Sequence, residues 1–279
     1  MGGSCIIVGG GFTALLTANA LIKRGVKPTL IVRSRLLRKI VEPDVSEFLE
    51  NEISKRCKII HGNLEEIIGS TEVQYAKING KKIRASTIIL ATGTKPSIEL
   101  AKDAGIRVNE EGIQVDEKMA TDIPHIYAAG DCVATLDFIS KKHVYMPLAS
   151  KAAIEGIIAG CNAAGGKLRR LGFIRSQFER VFDLDIITIG LTLKDAKSLN
   201  MKAKELELNF AKELQKGGII KMICNDKDKL IGFQLVARSP SYVQKFFLQK
   251  RKEAVYMKSA IWQQLMKFLL KIKLERPWN

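Results

Sequence analysis

Six residues near the N-terminus have the types and the spacing of a turn that binds phosphate. They follow the pattern Gly-x-Gly-x-x-Ala and comprise Gly9, Gly10, Gly11, Phe12, Thr13 and Ala14. The first glycine allows a tight turn after a strand, the second lets the backbone approach a pyrophosphate, and the third position needs a small residue where helix and strand meet. The following helix offers free N–H groups and the positive end of its dipole. The pattern therefore predicts a dinucleotide pyrophosphate site.

A basic segment follows the next predicted strand, where NAD-binding units carry an acidic residue for the ribose 2′-hydroxyl. Arg33, Arg35, Arg38 and Lys39 fall within seven positions, whereas 45 basic residues in 279 would place about one there. Guanidinium groups match the oxygens of a phosphate. We predict that Arg33 and Arg38 help to bind the 2′-phosphate of NADP. NAD binding and an ordinary basic surface loop are the alternatives.

The elements around these residues predict an α/β fold. Strands alternate with helices, and a hairpin turn at Asn79-Gly80 precedes a further strand. This order indicates a doubly wound parallel sheet with an antiparallel addition. We therefore predict a Rossmann-type dinucleotide-binding unit over residues 1–95. Its predicted strands and helices are 4–8, 12–24, 29–32, 45–55, 57–60, 73–78, 81–84 and 87–90.

A carboxylate is predicted at the end of a later strand. The segment Thr121 to Asp131 ends in Gly130-Asp131, after an apolar run at 126–129 that we predict to be a strand. Open α/β sheets bind ligands beyond the carboxyl ends of their strands, where a carboxylate can hydrogen-bond a polyol chain.

The remaining segments predict two further groups of elements. A short helix at 98–104, a strand at 112–116, a long helix at 149–162 and a linker at 163–167 come first. The residues beyond this linker predict an α+β module. Its predicted strands are 186–189, 203–210, 219–223 and 230–236, and its predicted helices are 193–199 and 242–270.

Composition excludes several classes of function. The net charge of +16 raises nucleic acid as a partner, but the basic residues are spread along the chain without an aromatic-rich basic motif, so none is expected. Five cysteines without a CxxC pair predict free thiols, and the three histidines lack metal-ligand spacing. Glycines and polar residues interrupt the apolar N-terminal run, which lacks a basic flank. We therefore expect a cytoplasmic protein without a signal peptide or membrane span.

Five segments occur in an order that resembles one enzyme family. They are GGGFTA at 9–14, ATGTKP at 91–96, TDIPHIYAAGDC at 121–132, VYMPLASKAAIEGIIAG at 144–160 and VFDLDIITIGLT at 181–192. With them, the chain resembles the C-terminal two-thirds of the pyridine nucleotide-disulfide oxidoreductases. It is most similar to the branch that contains NADH oxidases and coenzyme A-disulfide reductases.

The resemblance implies roles for particular residues. The glycine turn would hold the nicotinamide dinucleotide, and Ala14 with Arg33 resembles the NADPH-using glutathione reductases. Asp131, after Gly130, would bind the ribityl chain of FAD. The other residues assigned to cofactor binding are Thr92 and Gly93 in the second segment and Leu148 and Ala149 near the flavin ring.

The resemblance also implies three domains and an assembly. Residues 1–95 would bind NAD(P), residues 96–166 would form the C-terminal part of an FAD-binding domain, and residues 167–279 would form an α+β dimerisation domain. We expect a homodimer or a heteromer on this basis.

The chain departs from the family pattern in three places. It lacks the first Rossmann half, which binds the ADP part of FAD and carries the redox cysteine where one is used. Leu16 stands where the family commonly has a glutamate near the flavin–nicotinamide contact. Only Arg276-Pro277-Trp278 resembles the family's C-terminal segment, after a Lys-rich amphipathic stretch at 251–273 that predicts an interface helix or a partner-docking surface.

Two main function classes follow from these observations, with nucleic-acid binding through the net charge of +16 as a third alternative. The first is an FAD-dependent NAD(P)H oxidoreductase that passes hydride from NADPH to flavin and on to oxygen, a disulfide or another small acceptor. It would need a separately encoded N-terminal FAD-binding polypeptide. The alternative is a non-catalytic nucleotide-binding or interaction module, or a fragment of an interrupted gene. No catalytic side chain is predicted.

Overall fold

The computed structural model describes residues 4–206 and 217–238 of the chain. These residues form two compact units. One contains the residues up to Thr92 together with those from Ser176 onward, and the other is Gly93–Arg175. The units are defined by packing, whereas the three predicted domains are units of ligand binding and assembly, so the division at 95 and 166 remains a prediction.

Three C-terminal predictions lie outside the described residues. They are the helix over 242–270, the amphipathic stretch at 251–273 and the Arg276-Pro277-Trp278 segment. The end of the strand predicted at 203–210 lies outside them as well.

The first unit begins with a parallel sheet, as predicted. Its strands lie in the order β3-β2-β1-β7, and all neighbours are parallel. The apolar run of the first strand is buried on both faces, which is typical of a parallel sheet covered by helices. The elements are β1 (Cys5–Val8), α1 (Phe12–Lys23), β2 (Pro28–Val32), α2 (Pro43–Ile53), β3 (Lys58–His61), β4 (Leu64–Gly69), β5 (Val73–Ile78), β6 (Lys81–Arg84) and β7 (Thr87–Leu90).

The two helices lie where the spacing of apolar residues predicts them. Ala14 and Ala18 of α1 are fully buried one turn apart, and Val45, Leu49 and Ile53 of α2 repeat every four residues. Pro43 begins α2, because its missing N–H is one that the first turn leaves unpaired in any case. These side chains share a hydrophobic core with Leu15, Leu30 and Leu36.

An antiparallel sheet of three strands, β4-β5-β6, interrupts the parallel one. Asn79 and Gly80 join β5 to β6 with φ angles of 48° and 75°, as the predicted Asn-Gly hairpin requires. The Asn79 amide also donates a hydrogen bond to the carbonyl of His61 at 2.9 Å. The strand β4 was not predicted, because its two adjacent glutamates and its mostly exposed positions do not give the alternation of apolar and polar residues that is typical of a strand.

The second unit contains a small four-stranded sheet and two helices. The strands lie in the order β11-β10-β9-β8, with β9 and β10 parallel. The prediction of a strand at 126–129 is wrong, because only an isolated bridge between Ala120 and Tyr127 forms there. The strand starts instead at Val133, after the Gly-Asp pair. The elements are α3 (Glu99–Asp103), β8 (Val108–Asn109), β9 (Gly112–Gln114), β10 (Val133–Leu136), β11 (His143–Tyr145) and α4 (Ala149–Ala163).

The C-terminal elements form an antiparallel sheet within the first unit, in the order β12-β13-β16-β15-β14. Val181, Ile186 and Val236 of this sheet belong to the same core as α1 and α2. The α+β module predicted beyond 167 is therefore present, and its sheet packs on the nucleotide-binding part. The elements are β12 (Ser176–Val181), β13 (Leu184–Gly190), α5 (Leu193–Ser198), β14 (Ala203–Glu205), β15 (Gly218–Asn225) and β16 (Leu230–Ala237).

Candidate nucleotide and flavin sites

The glycine turn lies between β1 and α1, and the packing of the chain itself requires a glycine at Gly9 and leaves little room at Gly10. Gly9 has a φ of +146°, and a Cβ there would lie 2.1 Å from the carbonyl oxygen of Ala91. A Cβ on Gly10 would lie 3.1 Å from Cγ1 of Val32 and 3.3 Å from the carbonyl oxygen of Arg35. The turn thus lies directly against the ends of β7 and β2. A side chain at Gly9 would displace the backbone of Ala91, whereas one at Gly10 would need a smaller shift of its neighbours.

The third glycine faces open space instead. Among residues 4–206 and 217–238, no atom would lie within 4 Å of a Cβ on Gly11, and the backbone of this residue is extended at φ −89°. Gly11 is the N-cap of α1, where no side chain caps the helix and the first turn contains no acidic residue. The N–H groups of Phe12, Thr13 and Ala14 lie in the first turn and therefore lack acceptors within the helix. The arrangement fits an anionic group such as a pyrophosphate.

The basic loop, residues 33–42, follows β2 beside the turn. Leu37 donates a backbone hydrogen bond to the carbonyl of Gly10 at 2.7 Å, which joins the loop to the turn. The Arg35 guanidinium donates to the carbonyls of Val41 at 2.7 Å and of Arg38 at 3.1 Å, so it shapes the loop. Arg33 and Arg38 have exposed side chains and form no ion pair among residues 4–206 and 217–238. These two guanidinium groups are available to a ligand.

In the second unit, Gly130 and Asp131 lie before β10, with Cys132 between, and so the prediction that Asp131 stands at the carboxyl end of a strand is wrong. Gly130 has a φ of +94°, a left-handed conformation that favours glycine. The Asp131 side chain is exposed. A carboxylate at this position can accept hydrogen bonds from a hydroxyl chain, which is the role that the resemblance assigns to it.

A buried polar network holds this loop, and its two charged residues were missed in the sequence. Lys151 and Glu155 of α4 form an ion pair at 3.1 Å, and each side chain is 1% exposed. The Lys151 ammonium donates to the Gly130 carbonyl at 3.0 Å, while Glu155 Oε2 accepts from the Gly130 N–H at 3.0 Å. Thr135 donates to Glu155 Oε1 at 2.9 Å and accepts from Lys151 at 2.9 Å. The one available signal was a Lys and a Glu at i, i+4 spacing among small residues.

The remaining predicted site residues border these elements. Thr92 is exposed at the end of the first unit, and Gly93 begins the second with a φ of +109°. Leu148 is the extended N-cap of α4, and Ala149 is its first residue. The structure thus collects the glycine turn, Arg33 and Arg38 in one unit. It collects Gly93, Gly130, Asp131, Leu148 and Ala149 in the other.

The cysteines do not form a redox site within the described residues. All five are free, and Cys5, Cys57 and Cys224 are buried. Burial raises the pKa of the Cys57 and Cys224 thiols to about 11, so neither is a thiolate at neutral pH. The described residues also contain no cluster of three or more potential metal ligands. Within 4–206 and 217–238, every helix is too short or too polar to cross a membrane.

The chain is similar to known proteins both in sequence and in fold. The NADH oxidase of Methanocaldococcus jannaschii is 35% identical over 241 residues, which are 82% of this chain and 53% of that protein. The NAD-dependent persulfide reductase of A. fulgidus superposes with a TM-score of 0.76 at 28% identity, over 84% of this chain and 46% of that one.

An engineered water-forming NADPH oxidase, derived from a Lactobacillus brevis NADH oxidase, superposes with a TM-score of 0.74 at 25% identity. It matches over 84% of this chain and 54% of its own. The chain thus spans about half the length of these relatives. The family model for pyridine nucleotide-disulphide oxidoreductases matches residues 1–156, and the chain belongs to this family.

Proposed function

We propose that this chain is the coenzyme-binding part of an FAD-dependent NAD(P)H oxidoreductase that prefers NADPH. The observation that carries the proposal is the uncapped N-terminus of α1 at Gly11, which lies beside the exposed Arg33 and Arg38. The turn would hold the pyrophosphate, and the arginines would hold the 2′-phosphate. When bound, the nicotinamide and the flavin supply the hydride chemistry, and the protein positions them.

The preference for NADPH rests also on a comparison of substitutions. The engineered NADPH oxidase carries a change of glycine to alanine. Eighteen residues later it has three consecutive changes, of aspartate to alanine, alanine to arginine and methionine to serine, and five residues after those a change of proline to arginine. When Ala14 is set against the first change, the same spacing leads to Val32, Arg33, Ser34 and Lys39. This chain therefore has no acid, an arginine, a serine and a second cation at the corresponding positions.

The flavin site is proposed to form with a separate N-terminal polypeptide. The relatives are about twice as long as the matched segment. The second unit exposes large apolar side chains, with Leu100 86%, Leu171 69% and Ile157 66% exposed. A binding partner that covered these side chains would remove their apolar surface from water. We propose an FAD-binding half as the occupant, with Asp131 contributing to the ribityl contacts. The electron acceptor is proposed to be oxygen, a disulfide or another small molecule.

A second candidate is a nucleotide-binding module without turnover. Leu16 favours it, because this residue packs on the core of the first unit and presents no carboxylate where the family commonly has a glutamate. Such a protein would bind NADPH but would retain no flavin.

The first experiment is a visible absorption spectrum of the purified chain after incubation with excess FAD and desalting. Retained flavin bands that bleach with NADPH would support an enzyme. A colourless protein that still binds NADPH would fit both a flavin site that needs the other polypeptide and a module without turnover, and flavin retention after addition of an N-terminal FAD-binding half would distinguish the two. A chain that binds neither FAD nor NADPH would contradict the proposal.

The coenzyme preference is tested with Arg33→Glu. We expect the NADPH Kd to rise about ten- to hundredfold, because a charge-assisted hydrogen bond to the 2′-phosphate is replaced by repulsion. The NADH Kd should change little, since NADH lacks that phosphate. The matched control is Arg24→Glu, which makes the same charge change at an exposed position at the end of α1. An unchanged NADPH:NADH affinity ratio in Arg33→Glu would refute the assignment.

A further inference from the structure

The basic loop is attached to the C-terminal sheet through one buried residue, Glu42. Its backbone N–H donates a hydrogen bond to Oε1 of Gln234 on β16 at 2.7 Å. Its carboxylate accepts from the backbone N–H of Leu193, the first residue of α5, also at 2.7 Å. Both Glu42 and Gln234 are buried. The last residue of the loop is therefore held from two sides by elements more than 150 positions away in the sequence.

The loop itself has a conformation that needs such support. Leu37, at its centre, has a φ of +48°, which is unfavourable for a leucine, and its side chain is buried. Strained backbone of this kind persists only where the surroundings over-determine it. The middle of the loop is held by Leu37, which donates to the Gly10 carbonyl at 2.7 Å, and by Leu36, which donates to Glu50 at 3.2 Å. Ser46 also donates to the Leu36 carbonyl at 2.7 Å, so Glu42 is the attachment at the end of the loop.

The position of Arg38 depends on the course of this loop, whereas Arg33 directly follows the paired strand β2. Arg33 lies at the start of the loop and Glu42 at its end, while Arg35 bridges the interior to the Val41 carbonyl next to Glu42. Displacement of Glu42 therefore moves Val41, and with it the backbone that carries Arg38. A phosphate contact is sensitive to such movement, because guanidinium forks bind oxygens in a fixed geometry. The pyrophosphate contacts at Gly11 belong to the turn and are affected less.

We infer that Glu42 and Gln234 are positioning residues for NADPH selectivity, so that the C-terminal sheet sets the coenzyme preference of the first unit. This inference rests on the proposed NADPH preference. The C-terminal sheet then has a second role besides burial of the core, because Gln234 of this sheet is hydrogen-bonded to Glu42 of the basic loop.

The test measures the Kd of NADPH and of NADH for the full chain by titration calorimetry at constant ionic strength. Gln234→Ala should lower the ratio of the NADH Kd to the NADPH Kd about tenfold, through loss of well-placed phosphate contacts. A purely structural role would weaken both coenzymes alike and leave the ratio unchanged. The matched control is Thr188→Val, because Thr188 lies directly opposite Gln234 on β13 and its buried hydroxyl has no hydrogen-bond partner within the part of the chain that the structure describes.

A second pair of variants covers the case in which Gln234→Ala does not fold. Glu42→Ala should lower the ratio of the NADH Kd to the NADPH Kd. Glu42→Gln keeps an acceptor oxygen for the Leu193 N–H and should have a ratio near that of the wild type. Unchanged ratios in both alanine variants, beside a wild type that prefers NADPH, would overturn the inference alone. A wild-type ratio near one would overturn both the inference and the proposed preference.

Discussion

The polar network around Gly130 shows how single residues position a cofactor loop in this chain. Lys151 and Glu155 grip the carbonyl and the N–H of the same glycine, next to Asp131. A buried ion pair adds little net stability when intact, but the removal of one partner leaves the other charge uncompensated. The two residues together therefore act as a clamp on Gly130, and removal of both charges should destabilise the protein less than removal of one.

We predict that Lys151→Met lowers the free energy of unfolding of the second unit by about 3–5 kcal/mol, because Glu155 is left buried and unpaired. The double variant Lys151→Met with Glu155→Leu should recover part of the loss. Urea unfolding and hydrogen exchange at the β10 amides would measure it. Lys102→Met, which removes an exposed lysine of the same unit, is the control and should have little effect. A single variant no less stable than this control would contradict the clamp.

The buried thiol of Cys57 predicts a pH dependence. Its pKa is raised by burial from about 9 to about 11, so the folded state keeps the thiol protonated over a range in which the unfolded chain loses the proton. The unfolding free energy should therefore fall as the pH rises from about 9 to about 11, and this fall should be shallower in Cys57→Ala. Ile53→Val, which trims the same core without a titrating group, should keep the wild-type slope. Equal slopes in all three proteins would refute the prediction.

At the scale of the elements, the glycines of the turn have two different roles. Gly9 serves the packing of β1 on β7, while Gly11 leaves space for a ligand. The sequence pattern alone does not separate these uses, because all three glycines are consecutive. The distances to Ala91 and Val32 separate them.

We expect Gly9→Ala to prevent folding or to lower the melting temperature strongly, because its Cβ would lie 2.1 Å from a backbone oxygen. Gly11→Ala should keep the fold at a cost of about 1 kcal/mol, since alanine is a poorer N-cap. It should weaken NADPH binding, because the new methyl group occupies the space beside the helix terminus. Thermal melts and NADPH titration of the two variants would test this. A well-folded Gly9→Ala, or full NADPH affinity in Gly11→Ala, would contradict it.

The same scale shows where prediction of elements fails. The run at 126–129 has the composition of a buried strand, yet the described structure pairs only Tyr127, with Ala120. The neighbouring β10 pairs on both sides, with β9 and β11. A strand forms only when another strand from elsewhere in the chain pairs with it, and the composition of a local apolar run does not show whether such a strand is present.

In the whole molecule, the C-terminal sheet shares a core with the Rossmann-type part rather than forming a separate body. Arg238 extends this contact at the surface through an ion pair with Glu52 of α2 at 2.6 Å, and it also pairs at 2.8 Å with Asp183, between β12 and β13 of its own sheet. Exposed pairs of this kind contribute little, about 1 kcal/mol or less each, so the shared core dominates the association.

The net charge of +16 gives a prediction for the molecule as a whole. We expect binding to DNA only at low salt and its loss by roughly 200 mM salt, as for non-specific neutralisation of phosphates. Retention on a DNA column across a salt gradient measures this, with a basic protein of similar charge and no nucleic-acid function as the control. Binding that persists well above this salt concentration would reopen nucleic acid as a partner.

The sequence by itself determined the fold class and most of the candidate site. The strand, glycine turn and helix are local, and their spacing follows from the geometry of the backbone, so residues 9–14 could be interpreted directly. The cluster of arginines after β2 was visible for the same reason. The Asn79-Gly80 hairpin was also visible, because positive φ angles select those two residues.

Only the tertiary structure decided how these parts are held. It showed that Arg35 is occupied by backbone carbonyls, that Lys151 and Glu155 clamp Gly130, and that Glu42 is bound by Gln234 and Leu193. Each of these contacts joins a polar side chain to a backbone atom. The residue type that carries this backbone atom does not matter for the contact, so the sequence does not indicate which residue it is. Backbone groups are the same at every residue, so such contacts are fixed by position in space and not by composition.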